Sequence, residues 1–145
     1  MRVLLQRVTS AEVRVSGRVV GAIDSGLLAF VGMERGDDGA TVERMTGRIA
    51  GYRMFADEQG RMNRSVRDVG GSVLLVSQFT LAADTGKGLR PSFSRAAEPQ
   101  EARRLCDALA AGLRDSGLPV AEGKFGADMQ VSLVNDGPVT FFINL

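Results

Sequence analysis

Four branched apolar residues in a row, Val73-Leu74-Leu75-Val76, constrain this chain more than any other stretch. A run with no polar alternation has no face to offer water, so it reads as a strand covered on both sides. Gly70-Gly71 introduces it, and Ser77-Gln78-Phe79-Thr80-Leu81 ends it with hydroxyls, an amide and two apolar side chains. Phe79 and Leu81 are expected to pin that backbone to apolar surroundings. Main-chain N–H groups fixed at the rim of a rigid core are what a site needs to receive a developing oxyanion. By itself the segment reads more readily as a strand fraying into a polar turn.

The other strands follow from the same rules. Arg2 to Val8 makes a first strand, with Arg7 on the same face as Val3 and Leu5: it can point inward at a partner, although a strand-end arginine reaching solvent is the plainer reading of the strand alone. Ala11 to Ser16 alternates apolar and polar residues, Val19 to Ile23 follows a Ser16-Gly17 turn, and Leu27 to Val31 is a second unbroken apolar run. Asp37-Asp38-Gly39 opens a helix with its apolar stripe at Val42, Met45, Ile49 and Tyr52. Glu98-Pro99 opens another, with Ala102, Leu105, Leu109 and Leu113 inward and Ser116-Gly117 as its stop. Ala82 to Ala97 reads as a long exposed loop. Val120 to Phe125, Met129 to Val134 and Val139 to Leu145 are further strands, with Asn135-Asp136-Gly137-Pro138 a turn between the last two. This pattern predicts an α+β fold: a largely antiparallel, barrel-like curled sheet with two main helices packed against it. The length, 145 residues, fits one domain spanning 1–145.

Composition narrows the chemistry. There is no histidine, which removes the Ser-His-Asp and Cys-His routes to an activated nucleophile and the usual His-containing zinc sites. The single cysteine, Cys106, lies in a helical pattern beside Leu105 and Leu109 and reads as a small core hydrophobe. The absence of any disulfide suits a reducing compartment, no apolar run reaches the ~18 residues of a membrane span, and a cytoplasmic location is expected. A net charge of +1 argues against a grossly basic nucleic-acid binder. Arg61, Arg64, Arg67, Arg90, Arg95, Arg103 and Arg104 nevertheless crowd the middle of the chain and could seat a few phosphates.

Taken together, Ser77-Gln78-Phe79-Thr80-Leu81 and Asn135-Asp136-Gly137-Pro138-Val139-Thr140 resemble the D-aminoacyl-tRNA deacylase family. The resemblance extends through Met1 to Val8, Gly51-Tyr52-Arg53-Met54-Phe55, Arg90-Pro91-Ser92-Phe93 and Ala127-Asp128-Met129-Gln130-Val131. It implies a homodimer that hydrolyses the ester between a D-amino acid, or glycine mischarged on tRNA(Ala), and the terminal adenosine of tRNA. It implies further that a cis Gly137-Pro138 turn enters the partner's pocket, grips the substrate α-amino group through main-chain carbonyls and leaves no room for an L side chain. Arg7 would brace that turn. Phe79 and Thr80 would give backbone N–H groups to the carbonyl oxygen, and Ser77, Gln78 and Met129 would line the pocket. No metal and no cofactor are expected, since backbone donors and the substrate's own 2′-hydroxyl could supply the chemistry. Thr80 as a covalent nucleophile is the competing assignment, weakened because its hydroxyl has no evident base. A non-catalytic module holding tRNA ends by the arginine patch is the alternative of a different class.

Overall fold

The computed structural model describes residues 1–145. The chain runs β1 (Arg2–Val15), β2 (Arg18–Ile23), β3 (Gly26–Gly32), α1 (Gly39–Gly51), β4 (Phe55–Ala56), β5 (Met62–Arg64) and β6 (Ser72–Ser77). A 3-10 turn at Phe79–Ala82, then α2 (Pro99–Asp115), β7 (Val120–Glu122) and β8 (Gln130–Asn144) complete it. One sheet has the order β2-β1-β3-β6-β7, with β8 paired to β1, and β4 and β5 form a separate small ribbon.

The sheet curls toward a barrel and is largely antiparallel, as expected, but not strictly so. β1 pairs antiparallel with β2, β3 and β8, but β6 is parallel to both β3 and β7. The reason lies in the connections. Each helix falls between two neighbouring strands of the sheet, and a chain that crosses over through a helix returns in the same direction. The helices cover one face of the sheet, where Val3, Leu5, Leu27, Ala29, Val73 and Leu75 meet Met45, Ile49, Leu105, Leu109 and Leu113 in one cluster. On the other face Leu28, Leu74 and Val76 join Val8, Ala11 and Val13 in a second cluster inside the curled sheet. The Val73–Val76 run is therefore covered on both sides, as its lack of alternation requires.

The curl has two local causes. β1 is one strand where two were expected, because a register irregularity between Val8 and Ser10 keeps it paired while its faces exchange. Val3 and Leu5 look toward the helices, but Ala11 and Val13, also odd-numbered, look into the barrel. A bulge of this kind bends a strand and sharpens its twist. At the far side β2 approaches β7 so closely that a Cβ on Gly21 would lie 2.3 Å from the Glu122 carbonyl oxygen.

Both helices begin as expected. Asp38 caps α1, its Oδ1 accepting from the Thr41 N–H at 2.9 Å, and this hydrogen bond holds the carboxyl below its ordinary range. Pro99 opens α2. Tyr52 lies just beyond α1 and sets its ring edge-on to Phe141, 5.3 Å away. No helix is long and apolar enough to cross a membrane.

Two segments of the second half differ from expectation. β7 stops at Glu122 and not at Phe125: the Gly123 N–H makes a last bond to the Leu75 carbonyl at 2.9 Å, and the chain then turns, with Gly126 at a positive φ of 74°. Asn135–Pro138 does not connect two strands. β8 continues through it, pairing Asn135 with Val8 and Thr140 with Gln6, so that the excursion bulges out opposite Arg7 alone.

Truncating Leu74, which is fully buried in the inner cluster, should cost about 2–5 kcal/mol of unfolding free energy in a urea titration. Gly21→Ala should lower the thermal midpoint by forcing β2 from β7, whereas Gly51→Ala, with open space around its position, should not.

Candidate active site

The parallel strands bring their C-terminal ends to one side of the sheet, and a cavity of about 470 Å³ opens there. Ser77, Gln78, Phe79 and Met129 all line it. Ser77 is the last residue of β6 and pairs with Val31. The Gln78 N–H donates to the Val31 carbonyl at 2.7 Å, which anchors the chain as it leaves the sheet. The 3-10 turn then begins, with the Leu81 N–H donating to the Gln78 carbonyl and the Ala83 N–H to the Thr80 carbonyl, both at 3.1 Å. The amides of Phe79 and Thr80 come before the first of these bonds, and a helical turn leaves its leading N–H groups without partners of its own.

Phe79 differs from expectation. Its side chain is 58% exposed, turned outward by the 3-10 geometry, and its ring rests on Phe93 at 5.0 Å instead of in the core. The backbone there is fixed by hydrogen bonds at Gln78 and Leu81, not by burial of the ring. Arg2 adds to this, donating from Nη1 to the Leu81 carbonyl at 3.0 Å while pairing with Glu34. Nothing in the sequence motif marks Arg2 for that task; only the pairing of β1 with β3 brings it to the end of the turn.

Thr80 is exposed and does not line the cavity. Its hydroxyl oxygen accepts from the Gln78 side-chain amide, a group that cannot take up a proton as a base would. Cys106 does reach the cavity wall, but burial, with smaller contributions from Glu122 and Asp107, pushes its pKa up to about 12. It stays a neutral thiol, which is a poor nucleophile. Met129 lies over Gly123, and its Sδ accepts from the Lys124 N–H at 3.3 Å.

The second set of residues is gathered at the bulge of β8. The Gly137-Pro138 bond is cis, Gly137 has a φ of +131°, and both residues are exposed. Arg7 points inward, as its face predicts, with its side chain only 15% exposed. Its Nε donates to the Asp136 carbonyl at 3.0 Å and its Nη1 to the Met54 carbonyl at 2.8 Å. Asn135 closes the base of the excursion: its Oδ1 accepts from the Val139 N–H at 2.8 Å and its Nδ2 donates to Thr140 Oγ1 at 2.9 Å. The turn is thus stiff and outward-facing.

These two sets do not meet within the chain. On β3, Arg7 is opposite Leu27 while Ser77 is opposite Val31. That is about 13 Å along the strand, at ~3.3 Å per residue, with two strand spacings of ~4.8 Å between them. Arg7, Gly137 and Pro138 lie outside the cavity that Ser77, Gln78, Phe79 and Met129 line.

A family profile described as D-Tyr-tRNA(Tyr) deacylase matches residues 4–144. A D-aminoacyl-tRNA deacylase of Alcanivorax borkumensis is 63% identical over 145 residues, the whole of both chains. One from Vibrio cholerae is 59% identical over 143 residues and covers 99% of each. Among solved structures, a c-Myc DNA unwinding element binding protein superposes with a TM-score of 0.94 at 37% identity, over 100% of this chain and 99% of the other. A probable eukaryotic D-amino acid tRNA deacylase shares the fold, with a TM-score of 0.81 at 16% identity over 99% and 98% of the two chains. The cavity at the strand ends and the braced turn on β8 therefore belong to a member of the D-Tyr-tRNA(Tyr) deacylase family, a hydrolase acting on aminoacyl-tRNA.

Proposed function

We propose that this chain works as a homodimer in the cytoplasm and discriminates handedness with main chain lent from one copy to the other. The observation that carries the reading is the separation of the turn from the cavity. A rigid, exposed turn with no counterpart in its own chain and a cavity with no lid of its own complement each other if a two-fold axis relates two copies. β8 offers the surface: it bonds β1 along one edge only, and Val134 and Phe142 stand 56% and 53% exposed on it.

In this assembly the terminal adenosine and its ester occupy the cavity, and the partner copy's Gly137 and Pro138 close over the amino acid. Their carbonyls accept from the α-ammonium, and the Cα hydrogen of a D residue points at the turn. An L residue would drive its side chain into stiff main chain, whatever that side chain is. Glycine has nothing to collide and is hydrolysed as well, including glycine mischarged on tRNA(Ala). Arg7 acts through the turn, as a positioning residue.

The hydrolytic step needs charge stabilisation more than a titrating side chain. Attack of water on the ester carbonyl builds negative charge on its oxygen, and in this reading the leading amides of Phe79, on the cavity wall, and Thr80, next to it, receive it. Each such donor is worth about 3–4 kcal/mol when preorganised. The neighbouring 2′-hydroxyl of the ribose assists the attacking water and the departing 3′-oxygen. Ser77, Gln78 and Met129 shape the cavity around the ester, and the Thr80 hydroxyl takes no covalent part.

Two measurements test this reading. Sedimentation of the purified protein should give twice the mass of one chain; a monomer at assay concentration overturns the shared site. Deacylation of matched D- and L-tyrosyl-tRNA should be confined to the D form. In the same assay Thr80→Ala should keep most of the turnover. Gly137→Ala, whose Cβ would sit 2.7 Å from Val139 Cγ2, should lose about tenfold or more at unchanged fold, each tenfold being ~1.4 kcal/mol of transition-state stabilisation.

A further inference from the structure

The segment between the 3-10 turn and α2 was expected as a loop, and it has more order than that. Asp84 and Ser92 exchange two main-chain bonds, the Asp84 N–H donating at 2.7 Å and the Ser92 N–H at 3.0 Å. Asp84 Oδ1 accepts from the Gly86 N–H at 2.9 Å, and the Ala97 N–H ties the base of the ribbon to the Met33 carbonyl at 3.0 Å. A short ribbon results, with Lys87, Leu89 and Arg90 at its tip.

Three features of this ribbon are unaccounted for by the cavity. Phe93, 40% exposed, is set against Phe79 with the rings inclined at 56°, and Phe79 lines the cavity, so the pair forms its lip. Leu89 is wholly exposed. Lys87 and Arg90 take part in no ion pair, unlike Arg35, which pairs with Glu98, and Arg104, which pairs with Glu101. An exposed aromatic face on the same ribbon as unpaired cations is the combination that binds single-stranded nucleic acid: bases stack, and cations follow the phosphates.

We propose that Phe93, with Phe79 behind it, is the stacking platform for the unpaired nucleotides that precede the terminal adenosine of the tRNA, and that Lys87 and Arg90 take their phosphates. This rests on the reading that the terminal adenosine occupies the cavity. A polynucleotide whose last residue lies there must leave across the lip, and this wall of the lip carries both aromatic faces and free positive charge. The platform is indifferent to sequence, because every base has a face to stack, which suits an enzyme acting on many tRNAs. It is also separable from the chemistry: the Phe79 backbone is held by the bonds at Gln78 and Leu81 and does not depend on the Phe93 ring.

The test compares D-tyrosyl-tRNA with 3′-O-D-tyrosyl-adenosine, which has the ester and the adenosine but no preceding nucleotides. Phe93→Leu should raise KM for the tRNA about tenfold, within the ~5- to 150-fold range of one stacked base, with kcat unchanged. Phe93→Trp should restore it, and all three proteins should hydrolyse the adenosine ester alike. Lys87→Ala with Arg90→Ala, on the exposed tip, should flatten the dependence of log(1/KM) on log salt by up to about 1.4, or ~0.7 per phosphate. Equal loss on both substrates would assign Phe93 a merely structural role, and no change on either would leave the lip without a function; each overturns the proposal, as would an unchanged salt slope. Wild-type protein inert on both substrates would sink the deacylase mechanism instead, a distinguishable result.

Discussion

The pairing of β1 with β8 is the constraint on which the rest of the molecule depends. These two strands stay paired on both sides of Arg7, with the register shifted across it, so the chain between Asn135 and Thr140 has no freedom to relax into the ladder. It must leave the sheet, and it leaves it held: Arg7 fixes the carbonyl before Gly137, and Asn135 spans the base. A loop tethered so closely at both ends keeps little conformational entropy to lose when it meets a ligand. Stiffness in this protein comes from hydrogen bonds between strands, not from a packed side chain at the tip.

The same sheet fixes the segment that lines the cavity. Because β3 and β6 are covered on both faces, their backbone cannot shift without opening one core or the other. The Val31 carbonyl is consequently a fixed acceptor, and Gln78 hangs from it at the moment the chain turns into its 3-10 geometry. In a chain lacking histidine, whose one cysteine is held as a neutral thiol, main-chain dipoles fixed in this way are a source of electrostatic stabilisation that needs no proton bookkeeping.

How much of this was legible before the structure depends on the range of the interaction concerned. Strand and helix positions followed from periods of two and 3.6, and the double burial of Val73–Val76 from the absence of any period. Arg7 could be placed on an inward face by counting from Val3. Its partners, the carbonyls of Met54 and Asp136, could not, since they are 47 and 129 residues away. Parallel pairing was missed for a similar reason: whether a helix brings the chain back parallel or antiparallel is decided by where it packs. Phe79 was placed in apolar surroundings because its own side chain is apolar, yet a tight turn rotates successive side chains by about 120°, and its ring ends in water against Phe93.

The sequence by itself determined the class of element at most positions, the lack of a titrating nucleophile or base of the usual kinds, and two motifs that carry the family. These are local properties, written in side-chain type and spacing. Tertiary structure alone decided that the two motifs stand apart on one chain, that Arg2 secures one and Arg7 the other, and that the ribbon beyond Phe79 places an aromatic pair at the lip. Such arrangements arise from strand register and crossover direction, which are set when distant segments compete to bury the same apolar faces, and no local pattern encodes the outcome of that competition.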